Sequence, residues 1–150
     1  MRGGLGAWQA MGIEAGQPYW LSLLAEAYTR TGQVEETSRL LAEALFLVHK
    51  NAEHWWEAEL HRLTGELLLK QADAEEREAE TSFRQALDIA RRQQAKSLEL
   101  RAAMSQARLW QQQGKRAEAH ALLAPVYGWF TEGFDTADLQ EAKALLDALA

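Results

Sequence analysis

Apolar residues recur every three or four positions along most of the chain, which is the spacing of one face of an α-helix. Between Trp20 and Tyr28 the interval is four, and Gly32 predicts the end of that helix. The same pattern predicts a short leading helix over residues 5–14 and then three helix pairs with a terminal helix. We place a remnant of a preceding unit at 1–16, the pairs at 17–52, 53–94 and 95–132, and the terminal helix at 133–150.

Small residues mark equivalent positions in the first helix of each pair, where two helices must approach closely. Ala25, Gly65 and Ala107 hold these positions, 40 and 42 residues apart. The second helices carry a small, a large and a small or medium residue in the spacing A-x3-F-x2-A: Thr37, Leu41 and Ala44; Ala79, Phe83 and Ala86; Ala119, Leu123 and Val126. A fixed period of this kind indicates stacked copies of one unit, which bury a continuous core between neighbours.

These motifs resemble the tetratricopeptide repeat, whose signature W-x2-L-G-x2-Y is followed by A-x3-F. The first pair fits through Leu21, Leu24, Ala25 and Tyr28, whereas the third has Gln106 where the family has leucine. The long period is similar to that of helical solenoids in large bacterial signalling ATPases. The stretches 18–28 (PYWLSLLAEAY) and 127–139 (YGWFTEGFDTADL) look like the C-terminal repeat region of proteins that join a nucleotide cyclase domain to a predicted ATPase.

The resemblance implies an all-α fold, a right-handed αα-superhelix of three helix pairs with a leading helix and a C-terminal capping helix. Composition favours the same class, because Ala (27) and Leu (23) are abundant and Val (3) and Ile (2) are scarce. The chain has no GxxxxGK[ST] loop, so the ATPase activity of the similar proteins is not carried over.

Charge and residue counts exclude several functions. Without cysteine there is no disulfide, thiolate nucleophile or cysteine-based metal site. A net charge of −6 argues against nucleic acid as a partner. No apolar run approaches the length of about 18 residues that spans a membrane, and the N-terminus lacks the apolar stretch of a signal peptide. We therefore expect a soluble, cytoplasmic chain.

The histidines offer the strongest candidate for metal chemistry. His54, Glu57 and His61 share one helical face, and imidazole with carboxylate suits zinc. A fourth ligand is not evident and the HExxH spacing is absent, so a solvated polar face is the preferred interpretation and no metal site or cofactor is predicted. His49 and His120 are interpreted as isolated, exposed residues. No nucleophile or paired carboxylates suggest catalysis, so no catalytic residue is predicted.

Six tryptophans are compatible with a ligand cage or with core packing. Trp20, Trp56 and Trp110 fall on apolar stripes, which favours packing. We expect Trp129 and Phe130 to pack under the terminal helix.

Stacked helix pairs curve, and the first helices line the concave side. In tetratricopeptide repeats the groove-facing positions lie one residue after the small residue, and three and six before it. Carried over residue by residue, the resemblance implies a groove lined by Tyr19, Ser22, Glu26, Glu59, Arg62, Glu66, Arg101, Met104 and Arg108. One end would be acidic or neutral and the other basic, where a partner carboxylate could meet Arg101 and Arg108. The alternative is that these charges only pair across the groove.

The function that this pattern favours is a non-enzymatic interaction or regulatory scaffold. It would bind a protein or peptide segment, or a neighbouring domain of a parent signalling protein. Two alternatives stay open, a small-ligand sensor module like those in bacterial transcription activators, which needs a closed pocket, and an enzyme, for which no reactive group was found. The partner's identity and the oligomeric state do not follow from the sequence.

Overall fold

The computed structural model describes residues 17–51, 54, 56–71 and 76–150, and these residues form helices joined by short turns. The prediction of an all-α fold is confirmed for them, whereas the leading helix predicted over 5–14 lies outside the described residues. In chain order the helices are α1 (Gln17–Arg30), α2 (Val34–Asn51), α3 (Glu57–Lys70), α4 (Glu76–Arg92), α5 (Lys96–Gln112), α6 (Arg116–Gly128) and α7 (Ala137–Leu149). None of these helices is both long enough and apolar enough to cross a lipid bilayer.

Two glycines end the first helix of the first and third pairs. Gly32 and Gly114 have φ angles of +78° and +80°, a conformation that glycine adopts without steric penalty. Beyond them the backbone N–H groups of Gln33 and Lys115 donate to carbonyl oxygens inside the preceding helices, at 2.9 and 2.8 Å. These hydrogen bonds satisfy carbonyls that the helix ends would leave without partners. The predicted role of Gly32 as the end of α1 is thereby confirmed.

The helices pack in a regular order. Each helix packs against the next one along the chain, and the odd-numbered helices also pack on one another, α1 on α3, α3 on α5 and α5 on α7. Within the described part of the chain, the even-numbered helices make no corresponding contacts among themselves. The odd-numbered helices therefore form one continuous layer, and the even-numbered helices lie against it.

The core follows the repeated positions. All nine residues of the three predicted triplets in α2, α4 and α6 are buried, with at most 7% of their surface exposed. Ala25 shares its core cluster with Leu41 and Ala44, and Ala107 shares its own with Ala119 and Leu123. The small residue of each of these first helices thus packs among the triplet residues of its own second helix.

Gly65 marks a close approach of α3 to α4 in the second pair. A Cβ atom added there would lie 2.4 Å from Cε1 and 2.7 Å from Cδ1 of Phe83 on α4. Because Phe83 is fully buried, its ring fills the space that a side chain at position 65 would need. The pairing of α3 with α4 therefore requires glycine at this position.

The segment after α6 differs from the prediction. Phe130 packs partly buried against the core, but the expectation for Trp129 is wrong because its side chain is exposed. The Trp129 ring lies against Phe130, with centroids 5.2 Å apart, and under the ammonium of Lys96, 5.5 Å from its centroid. A cation and a neighbouring ring can hold an aromatic side chain at the surface without burial under α7. Pro125 lies inside α6 and does not end it, because the helix continues to Gly128.

Gln106 is buried in α5 where the tetratricopeptide signature has leucine. Its Nε2 lies 3.4 Å from a carboxylate oxygen of Glu80 on α4, and that oxygen also accepts a 2.7 Å hydrogen bond from Trp110 Nε1. The other amide atom, Oε1, has no hydrogen-bond partner. Burying an unsatisfied polar atom costs about 1–3 kcal/mol.

We therefore expect Gln106→Leu to raise the free energy of unfolding by about 1 kcal/mol, since Glu80 keeps its bond to Trp110. Urea denaturation followed by circular dichroism measures this. The matched control is Gln140→Leu, because Gln140 is exposed on α7 and its replacement should change stability by less than about 0.5 kcal/mol. A clear loss of stability in Gln106→Leu would show that the bond to Glu80 outweighs the unsatisfied oxygen.

Candidate functional site

Charged side chains from three odd-numbered helices meet on one side of their layer. Oε2 of Glu59 on α3 lies 2.9 Å from Nη2 of Arg101 on α5, and Nε of Arg101 lies 3.9 Å from Asp138 on α7. Farther along α5, Arg108 donates to Glu141 on α7 at 3.3 Å. We call this surface the odd-helix face, and it comprises Glu26, Glu59, Arg62, Glu66, Arg101, Ser105, Arg108, Asp138 and Glu141.

The innermost part of the odd-helix face is a buried ion pair. Arg62 donates through Nε and Nη2 to the two carboxylate oxygens of Glu59, at 2.6 and 2.8 Å. A third donor, Nη1 of Arg62, reaches Ser105 Oγ on α5 at 3.3 Å. The side chains of Glu59 and Arg62 are only 2% and 11% exposed. This bidentate, desolvated pair lies within α3. The contact of Arg62 with Ser105 links it to α5, so the pair has a structural role.

The environment of Arg62 favours its charged form. Burial acts to lower the pKa of its guanidinium, but the hydrogen bond to Glu59 and the negative charges of Glu59, Glu66 and Glu26 together raise that pKa above its ordinary value. Arg62 is therefore a permanent cation that balances buried Glu59. The influence of Glu26 also connects α1 to the same electrostatic surroundings.

Among the predicted groove positions whose side chains the structure describes, the one after each small residue is the most open. Glu26 on α1, Glu66 on α3 and Arg108 on α5 follow Ala25, Gly65 and Ala107, and their side chains are 31%, 30% and 42% exposed. Each already has a partner inside the chain, and those partners are Arg30, Ser105 and Glu141 respectively. We call this series the exposed row, comprising Glu26, Glu66 and Arg108; it carries two acids followed by one base.

The remaining predicted groove residues have different surroundings. Met104 is buried in the hydrophobic core, so its side chain does not face an open groove. Tyr19 and Ser22 belong to α1, but their side chains lie outside the described part of the structure. The structure does bring Glu59, Arg62 and Arg101 together, as partners of one another.

The expected basic end of the groove is neutralised. Arg101 contacts Glu59 and Asp138, and Arg108 contacts Glu141, so neither guanidinium is unpaired. The terminal helix is predicted to cap the array, and the structure also brings its residue Glu141 into contact with Arg108. Spacing within α7 identifies its polar side but does not tell which neighbouring helix that side faces.

A second cluster of titratable side chains surrounds Glu57 at the start of α3. Its Oε1 lies 3.2 Å from Nδ1 of His54, and its Oε2 lies 3.9 Å from Nε2 of both His49 and His61. The interpretation of His49 as isolated is wrong, because its ring also lies edge-on to His54 with centroids 5.8 Å apart. Since His49 comes from the end of α2, the periodicity of α3 alone could not include it.

The deepest histidine of this cluster favours its neutral form. Burial lowers the pKa of His61 below its ordinary value, the charge of Glu57 acts in the opposite direction, and His49 lowers the pKa again. The net direction is downward. The imidazole of His61 is therefore held neutral beside the Glu57 carboxylate at neutral pH.

A comparison with protein-family models and with curated proteins finds no match for this chain. The resemblance to tetratricopeptide repeats therefore stays a prediction.

Proposed function

We propose that the chain is a non-enzymatic cytoplasmic interaction scaffold, built as a right-handed tetratricopeptide-like superhelix with a concave docking groove. The packing order supports this architecture, because the odd-numbered helices pack on one another in sequence while each even-numbered helix lies beside them. The burial of the repeated triplet positions supports it too. In arrays of this kind the first helices of the pairs line the concave side, which makes the odd-helix face the docking surface.

The occupant we propose is an extended peptide segment of a partner protein that carries charges of both signs. The exposed row is the observation that carries this proposal, since equivalent positions on three successive odd-numbered helices present two carboxylates and then a guanidinium. A basic residue of the segment would lie near Glu26 and Glu66, and an acidic residue would bind Arg108. Arginine recognises a carboxylate with two parallel hydrogen bonds, which gives such a contact direction as well as strength.

Exchange of partners at Arg108 is energetically feasible. The pair of Arg108 with Glu141 is exposed on both sides, and exposed ion pairs contribute only about 0–1 kcal/mol. A peptide carboxylate can therefore replace Glu141 at little cost. The buried pair of Glu59 and Arg62 cannot be exchanged in this way, because separating it removes two hydrogen bonds from the buried carboxylate of Glu59.

The test is selection of peptides from a random dodecamer display library on the purified chain, followed by affinity measurements on the synthetic peptides by fluorescence anisotropy. We expect the selected peptides to contain an acidic residue, and Arg108→Ala to weaken their binding by about fivefold, the upper end of what an exposed ion pair contributes. Glu141→Gln should strengthen binding by up to about fivefold, because it removes the internal competitor for Arg108. Arg101 is left unchanged in this test, since its replacement would disturb buried Glu59.

The matched control is Arg84→Ala. Arg84 is an exposed arginine on α4, outside the odd-helix face, with its own carboxylate partner Glu80 one turn away. Its replacement should leave peptide affinity within about twofold, like most surface changes. Equal losses in Arg84→Ala and Arg108→Ala would reject the odd-helix face as the docking surface. Hydrolysis of a nucleoside triphosphate by the purified chain would contradict the non-enzymatic assignment.

A further inference from the structure

We propose that His49, His54 and Glu57 form a binding site for a divalent transition metal ion, with zinc as the reference ion. One ligand atom from each residue lies within 4.8 Å of the corresponding atoms of the other two. Imidazole nitrogen and carboxylate oxygen are common zinc ligands, and three protein ligands with one water complete a tetrahedral site. The three residues come from the last turn of α2, the α2–α3 connection and the first turn of α3.

The spacing of the ligand atoms is close to what a tetrahedral ion requires. With metal–ligand bonds of about 2.0–2.1 Å, neighbouring ligand atoms lie about 3.3 Å apart. His54 Nδ1 lies 3.2 Å from Oε1 of Glu57, whereas His49 Nε2 lies 3.9 Å from the other carboxylate oxygen, Oε2, so a small adjustment brings both nitrogens to one oxygen. The His49 side chain is 66% exposed, so rotation about its side-chain bonds can close the remaining gap without displacing the core.

The backbone of the site is held in place from two directions. The carbonyl oxygen of His54 accepts a 3.1 Å hydrogen bond from the backbone N–H of Glu57 and a 2.7 Å bond from Nε2 of Gln93. Gln93 follows α4, so the carbonyl group of His54 is tied to α3 and to the end of α4. A ligand whose backbone is fixed in this way loses less conformational freedom when an ion binds.

The alternative is that the imidazoles of His49 and His54 make only polar contacts with Glu57. Arg92 lines the same cleft as His54 and Glu57, and its charge opposes the entry of a cation. Direct detection of coordination separates the two possibilities, because only a bound metal ion gives a metal absorption spectrum with a defined stoichiometry. The sequence pattern favours a solvated polar face here because it groups His54, Glu57 and His61 but does not include His49, which lies on α2.

The experiment uses the untagged full chain in metal-free buffer, titrated with Co²⁺ while the visible absorption is recorded. We expect one equivalent to bind with the intense bands of tetrahedral Co²⁺, and Zn²⁺ to displace it. His49→Ala, His54→Ala and Glu57→Gln should each weaken binding by at least about tenfold. His120→Ala is the matched control, because His120 is exposed on α6 and its loss should leave the affinity unchanged.

Circular dichroism of the metal-free variants shows that each is folded before metal is added. Should Glu57→Gln unfold the chain, the two histidine variants decide the result, because both histidines are partly exposed. Equal affinity of His49→Ala, His54→Ala and the wild-type chain would overturn the proposal. So would a wild-type spectrum that stays that of octahedral aqueous Co²⁺ throughout the titration.

Discussion

Replacement of Gly65 with leucine is expected to lower the free energy of unfolding by about 3 kcal/mol, the upper part of the usual range for an overpacked core. The first added carbon would already lie 2.4 Å from Phe83, which is fully buried and has no free space to enter. Gly65→Ala is a milder test. Alanine is favoured over glycine in a helix by about 1 kcal/mol, yet we expect a net loss of about 1–2 kcal/mol because of the same contact.

Urea denaturation measures both variants, and Gly128→Ala is the control. Gly128 ends α6 and an added Cβ there would meet no atom within 4 Å, so its replacement should be neutral or stabilising by up to about 1 kcal/mol. Combining Gly65→Ala with Phe83→Leu should recover part of the lost stability, since the two positions are in contact. Unchanged stability in Gly65→Leu would mean that Gly65 does not lie against Phe83 where α3 packs on α4.

Replacement of Arg62 with leucine is expected to lower the free energy of unfolding by about 3 kcal/mol, because breaking a buried ion pair leaves a desolvated charge. Glu59 would lose both hydrogen bonds from Arg62 and keep its contact with Arg101. Replacing Glu59 and Arg62 together with leucine should restore most of the loss, since apolar residues in place of a buried pair are often neutral. Thermal and urea denaturation both measure the difference.

The chain contains a matched control for burial. Arg39 pairs with Glu36 on α2 at the same spacing of three residues as Arg62 with Glu59, but both partners are exposed. We expect Arg39→Leu to change the free energy of unfolding by less than about 0.5 kcal/mol. A similar loss in Arg39→Leu and Arg62→Leu would show that burial does not set the strength of the Arg62 pair.

Helix positions and the buried stripe were accessible from the sequence because they depend on residues close together in the chain. Gly32 ends α1, and Phe83 is buried where the spacing A-x3-F-x2-A places it. In the same way the need for a small residue at position 65 follows from a pattern that repeats along the chain. The structure adds the reason, the contact with the Phe83 ring.

The candidate sites were less accessible because they depend on how neighbouring helices are rotated about their axes. The family pattern places Met104 in the groove, but α5 packs against α3, α4, α6 and α7, and these neighbours leave little of its surface free. The partner of Arg108 on α7 and the approach of His49 to Glu57 likewise connect residues of different helices. No spacing within a single helix contains that information.

The order in which the helices pack also bears on how the chain reaches its native state. No helix contacts another that is more than two helices away along the chain, within the part that the structure describes. Only short stretches of chain separate the helices that contact one another, so little chain entropy is lost when each contact forms. Topologies with such local contacts fold rapidly. Assembly can begin at any adjacent pair and spread in both directions, so synthesis of the C-terminal helices is not a precondition for order in the earlier ones.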